Sequence, residues 1–180
     1  ELHFASVMAT QDGTTITFNN GTKQFYNIAN TIHTVTIDSG ETYMVQPLDS
    51  DMFFAGLLIT ADKPIAVNSG DQHTRTVGTG NKDGGVDQLL PIRLIGNEYI
   101  IGRGSSTANI ADFAVVVAVE NNTEIFLNGN SSPIATINAG EYHEIDISGA
   151  AGTPYYIEMS KNAYLYHFSG QSEGEIGMAI

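Results

Sequence analysis

Cysteine and tryptophan are both absent from this chain, and lysine and arginine together number only 7. Without cysteine there are no disulfides, no zinc–thiolate centres and no thiol nucleophile, so packing alone must hold the fold. The few cations face 20 aspartates and glutamates, for a formal charge of −13. A surface of that sign repels phosphate backbones and anionic headgroups, which argues against nucleic-acid and membrane-surface binding. It suits an extracellular protein, and it attracts hard cations, with calcium the candidate ion.

Long apolar runs are missing too. None approaches the roughly 20 residues that cross a bilayer. No basic segment precedes an apolar one at the start, where "ELHFASVMAT" already reads as a strand, so no signal peptide is expected and the sequence reads as a mature chain or an excised domain. Helical periodicity with a cap at each end is also lacking.

What remains are short β-branched and aromatic runs separated by Gly, Asn, Asp and Ser. They predict strands at 3–10, 14–18, 32–37, 41–46, 53–60, 64–69, 98–103, 112–119, 123–127, 133–137, 141–146, 154–160, 163–169 and 175–180. Many short strands at this spacing imply an all-β fold, here an antiparallel, jelly-roll-like β-sandwich. At 180 residues the chain fits one domain, 1–180.

Three pairs of segments then line up in the same order. "FASVMATQDGTTITF" (4–18) matches "FAVVVAVENNTEIFL" (113–127), and "TIDSGETY" (36–43) matches "TINAGEYH" (136–143). "ITADKPIAVNSGDQ" (59–72) is set against "MSKNAYLYHFSGQS" (159–172), with Ser69-Gly70 on Ser169-Gly170. The expectation is two internally repeated halves, about 1–72 and 112–180, in a pseudo-twofold sandwich whose open faces pack on each other. Between them, 73–111 is a non-repeated insert. Its first part, "HTRTVGTGNKDGGVDQ", is expected to be a surface loop.

That insert supplies the metal candidates Asn81, Asp83 and Asp87, with Asp71 close by in sequence, oxygen ligands in a Gly-rich stretch that can wrap calcium. An EF-hand is excluded, because position 12 counted from Asn81 is Ile92. The five histidines (His3, His33, His73, His143 and His167) never fall in a zinc-like spacing. "GRGSS" at 102–106 is neither a nucleophile elbow nor a phosphate loop. Glu98, Glu141 and Glu144 offer carboxylates for glycoside hydrolysis but no spacing that pairs them. No catalytic constellation emerges, and an enzyme is not expected.

Alternation along 163–169 sets Tyr164, Tyr166 and Phe168 on one face, a row that can stack on sugars, meet a partner or be buried between sheets. Asn-x-Ser/Thr sequons stand at Asn20, Asn121 and Asn130, each in an expected turn.

The segments "TADKPIAVNSGDQ", "VDQLLPIRLIGNEYIIG" and "FAVVVAVENNTEIFLNG" together resemble the extracellular domain of the IgG Fc-binding mucin-like proteins, which also occurs in bacterial surface proteins. The likeness rests on Asp62 to Gly70, Gln88 to Pro91, Gly96 to Tyr99 and Val117 to Thr123, and runs from about 4 to 170. It implies a cell-surface or secreted adhesion role with no catalytic residues to carry over; cysteines common in the family are absent here. The expected function is therefore a non-catalytic extracellular module of an adhesin or surface assembly, its partners other surface proteins or copies of itself. A filament subunit completed by its terminal strands and a glycan-binding module are the alternatives.

Overall fold

The computed structural model describes residues 3–48, 54–74, 83–105, 112–170 and 176–179. Among them the regular structure is all strand apart from one 3-10 turn, Ile92–Leu94. The strands are β1 His3–Ala9, β2 Thr14–Asn19, β3 Ile32–Ile37, β4 Thr42–Val45, β5 Leu58–Ala61, β6 Ile65–Thr74 and β7 Asp83–Gln88. They continue with β8 Glu98–Gly102, β9 Asp112–Ala118, β10 Thr123–Leu127, β11 Ala135–Ile137, β12 Tyr142–Ile147, β13 Pro154–Met159, β14 Ala163–Gly170 and β15 Ile176–Ala179.

The backbone gathers into two compact units, Glu1–Gln72 with Val86–Leu90, and His73–Gly85 with Pro91–Ile180. In the first, one sheet runs β4-β1-β6-β7 and the other β3-β2-β5. Period-two alternation points Ala5, Val7 and Ala9 of β1 inward, with Ile16 and Phe18 of β2. With Phe25, Ile37 and Val45 they form one buried cluster.

In the second unit the sheets run β12-β9-β14-β15 and β11-β10-β13-β8. Ala114, Val116 and Ala118 of β9 face Ile125, Ile157 and Met159 in a cluster closed by Ile145, Ile147, Ala163 and Leu165. Tyr155 lies in this core, and its hydroxyl both donates to Ser148 O (2.8 Å) and accepts from Ser148 N–H (2.9 Å). A buried tyrosine needs such a partner.

Each core draws on both sheets of its own unit, the two-layer packing of a sandwich. The described buried apolar side chains fall into two clusters, one in each unit.

Turns at one end of each unit are tied by side-chain acceptors. In the first, Asp38 Oδ1 accepts Gly13 N–H, Asp12 Oδ1 accepts Ser39 N–H, and Asp62 Oδ1 accepts Thr15 N–H. In the second, Asn138 Oδ1 accepts Asn122 N–H, Asn121 Oδ1 accepts Ala139 N–H, and Ser160 Oγ accepts Glu124 N–H.

Four sequence expectations change here. The stretch after Gln72 is not wholly loop: β6 continues to Thr74 and Asp83–Gln88 is a strand beside it. Gly84, Gly85, Asp83 and Asp87 have poor strand propensity, but an available neighbouring strand outweighs propensity. The strand expected at 53–60 is β5, Leu58–Ala61, preceded by a turn at 55–56.

The Ser69-Gly70 match is out of step. Ala9 and Ala118 make the same turn bonds, donating to Glu41 O and Glu141 O and accepting from Gly40 and Gly140 N–H. Opposite them stand Ile65 and Ala163, so Ser69 (facing Ala5) is level with His167 (facing Ala114) and not with Ser169. Finally, the terminal strands are used at home: β1 lies between β4 and β6, and β15 pairs β14.

Candidate functional site

Of the four metal candidates, Asp71 and Asp87 have described side chains. Asp71 sits on β6, directly opposite His3, with Oδ2 2.9 Å from His3 Nδ1. Asp87 lies on β7 and its Oδ1 accepts Gln88 N–H at 2.7 Å, a local turn-like bond. Asp83 opens β7; its side chain and Asn81 lie outside the described residues. Among the described residues no three His, Asp or Glu side chains group as a metal site.

The glycosidase carboxylates are likewise apart in role. Glu141 Oε2 is taken by Asn138 N–H at 2.7 Å, while Glu98 and Glu144 lie on strands of different sheets, β8 and β12.

The sequon at Asn20 is closed: the residue is 5% exposed, and its N–H donates to Thr31 O. Asn121 and Asn130 are exposed in turns.

The aromatic row does form a face. Tyr164, Tyr166 and Phe168 stand opposite Val117, Val115 and Phe113 across the β14–β9 ladder. On the other flank of β9, Tyr142, Glu144 and Asp146 of β12 complete the same three rows. The β14 and β9 side chains are half-buried, while Leu165 between them is in the core.

The rings turn toward one another. Phe113 and Phe168 stack at 4.6 Å and 11°, and Tyr164 and Tyr166 at 6.5 Å and 26°. Partial burial raises the Tyr164 phenol above its ordinary value, with a smaller contribution from Tyr99. In the first unit the matching described places on β1, β4 and β6 are Phe4, Ser6, Met8, Thr42, Met44, Ala66, Asn68 and Gly70, with one aromatic. Sequence reasoning named the β14 row but missed Phe113, Val115 and Val117. In "FAVVVA" both faces are apolar, so alternation gives no direction.

Behind this face lies a buried polar knot that the sequence did not announce. Asp112 is fully buried; its Oδ2 accepts Gly104 N–H at 2.5 Å and lies 3.7 Å from His167 Nε2. Burial lowers the His167 pKa, opposed by the Asp112 charge and hydrogen bond. Gly104 packs closely there: a Cβ would fall 1.9 Å from Ser169 Oγ and 3.0 Å from Asp112 Oδ2, so a side chain would displace the serine. Arg103, also buried, donates from Nη1 to Gly104 O and is fixed by backbone bonds to Thr153 and Gly152. The "GRG" stretch thus serves packing, joining β8 to β9 and β14.

Layered antiparallel sheets with a laterally extended apolar face make a binding module of the β-sandwich class. A family model described as IgGFc binding protein matches residues 2–179, and the chain belongs to that family, one of extracellular binding domains. No curated protein and no solved structure matches the chain. No helix among the described residues is long and apolar enough to cross a membrane.

Proposed function

We propose that the chain is a non-catalytic extracellular module that binds a partner protein through the outer face of β12, β9 and β14. The observation that carries this is the continuous row set Val117–Tyr164, Val115–Tyr166 and Phe113–Phe168, rimmed by Tyr142, Glu144 and Asp146. Apolar centres enriched in aromatics and edged by charge are the anatomy of protein interfaces. Family membership supports the same class of function.

A sugar is the weaker occupant. Stacking on a pyranose needs a free ring face, and the Phe113–Phe168 stack takes one of the two faces of each ring. Filament growth through the first strand is disfavoured, since β1 already has a neighbour on each side, β4 and β6. Family membership supports a cell-surface adhesive setting, and the −13 charge suits it by keeping such modules apart until a specific face engages.

The same reading treats the chain as a duplication with copies near 1–72 and 112–180 and an added segment near 73–111. Its support is the strand order β4-β1-β6 and β3-β2-β5 beside β12-β9-β14 and β11-β10-β13.

The test is capture on a panel of immobilised extracellular proteins, with IgG Fc as the first probe, beside a glycan array. Protein capture lost in Val115→Glu and Tyr166→Asp, in a folded chain, is the expected result. Glycan binding lost in those variants, or protein capture indifferent to them, overturns the proposal.

A further inference from the structure

Among the described residues β8 pairs with β13 alone and forms an edge of its sheet. The flanking bonds, Arg103 N–H to Thr153 O and Met159 N–H to Asn97 O, fix the phase of that ladder. Odd-numbered residues of β8 bond β13. Glu98, Ile100 and Gly102 therefore turn their N–H and C=O groups toward the free edge.

The same three residues put their side chains on the outer face, and there Ile100 is 78% exposed. Beside it stands its direct partner Tyr156, and Pro154 stands beside Gly102. Asn128 and Gly129 complete a hollow of about 440 Å³ lined by Ile100, Pro154, Tyr155 and Tyr156. A side chain at Gly102 would meet nothing within 4 Å, so the way across that strand into the hollow is open.

At the other end of the strand Glu98 is the direct cross-strand partner of Glu158. Like charges in that position repel. Partial burial, followed by the Glu158 and Glu98 carboxylates, raises the Tyr156 phenol above its ordinary value. Neither β8 nor β13 carries a lysine or arginine. Proteins usually guard such edges with lysine, proline or a bulge; β8 has none of the first two.

We propose that this edge is a strand-addition site for an extended, cationic segment of a partner protein. The inference rests on the protein-binding reading but uses a different surface from the aromatic face. An antiparallel incoming strand bonds the outward groups of Gly102, Ile100 and Glu98 in turn. Its side chains at alternate positions then meet three environments. A large apolar residue crosses Gly102 onto Pro154 and the hollow, a second apolar residue covers Ile100, and a lysine or arginine reaches Glu98 and Glu158. The recognised pattern is apolar-x-apolar-x-basic. A second copy of this chain is the poorer occupant, because it brings the same acids to the edge and another −13 of charge.

The experiment selects displayed random peptides on the immobilised full chain, then on Glu98→Lys, Ile100→Glu and Val115→Glu. On the parent chain the enriched peptides should carry the apolar-x-apolar-x-basic pattern. A synthetic peptide of that pattern should lose about tenfold or more in affinity when its basic residue is made glutamate. Glu98→Lys should reverse that preference, and Ile100→Glu should abolish capture. Hydrogen exchange should slow at the amides of Glu98, Ile100 and Gly102 on binding. Glu98 and Ile100 are exposed, so those two variants keep the fold, and circular dichroism checks that Val115→Glu, at a half-buried position, is folded.

No enriched pattern, a pattern without a basic position, or preference unchanged in Glu98→Lys overturns the proposal. Val115→Glu separates the two readings: it should leave peptide capture intact while abolishing partner capture at the aromatic face.

Discussion

Where the β1–β2, β3–β4 and β5–β6 turns of the first unit meet, the bonds are those made by the β9–β10, β11–β12 and β13–β14 turns of the second, but the chemistry differs. Asp12, Asp38 and Asp62 in the first do what Asn121, Asn138 and Ser160 do in the second. Lys63 Nζ donates to Asp12 O, and Lys161 Nζ to Asn121 O. Glu41 and Glu141 each accept the N–H of residue 38 or 138 in their own loop. Gly13 and Asn122 both adopt a left-handed backbone, φ 61° and 56°. The turns need an acceptor oxygen at each place, not a charge. The surfaces diverge elsewhere: the second unit's face carries Phe113, Tyr164, Tyr166 and Phe168, while the first keeps one aromatic, Phe4, among serine, asparagine and methionine.

The sharpest way to break this comparison is through what the second unit alone contains. Gly104→Ala forces a methyl against Ser169 and Asp112 and strains the backbone N–H bond to that buried carboxylate. Overpacking and a weakened bond to a buried carboxylate together should cost about 3 kcal/mol. Urea denaturation checks it; a loss under about 1 kcal/mol means that the knot is soft and Gly104 incidental.

Next in size is Tyr155→Phe, which leaves Ser148 N–H and C=O without their phenol partner. The expected cost is about 1–3 kcal/mol. The same measurement on Tyr43→Phe, whose hydroxyl meets His33 at the half-buried side of the first unit, should cost less.

The third effect is a pH dependence confined to the second unit. Burial holds His167 below its ordinary value, so the folded chain binds fewer protons there than the unfolded chain. Stability from this group is fully present above about pH 6.5 and is lost as pH falls through the lowered value. Denaturation midpoints between pH 7.5 and 5 should fall with acid, and His167→Gln should flatten that slope. An unchanged slope in the variant removes His167 as its source.

Much of the fold was legible beforehand because it rests on period-two apolar patterns and turn residues that act locally. Gly40 and Gly140, at φ 81° and 82°, were matched from sequence and occupy matching turns. What escaped depends on partners far along the chain. β7 forms from Asp83-Gly-Gly-Val-Asp-Gln only because β6 offers an edge. The register of β14 against β9 is set by Ala118 and Ala163 and overrules a tempting Ser-Gly repeat. In Ile100-Ile101 both residues are apolar, so nothing local says that Ile101 packs on the core while Ile100 is almost bare. The Tyr164–Tyr166–Phe168 row was readable by alternation; its aliphatic counterpart on β9 was not.

The smallest expected effect probes the comparison most directly. If the turns require oxygen acceptors and not charge, the double variant Asp12→Asn with Asp38→Asn should leave the first unit within about 0.5 kcal/mol of the parent. At low salt it should even stabilise, because Asp12, Asp38, Glu41 and Asp62 crowd one lysine there and two of the four charges go. The reciprocal pair, Asn121→Asp with Asn138→Asp, adds two charges beside Glu141 and Lys161. It should destabilise by up to about 1 kcal/mol. Both effects should shrink toward zero near 1 M salt, where screening reaches only about 3 Å. Asparagine keeps the Oδ1 that accepts the Gly13 and Ser39 N–H groups, so geometry is held constant while charge is varied. A cost of about 1–2 kcal/mol for the first pair, the size of a lost cap, would show instead that the aspartates act as charges and that the two units are tied by different forces.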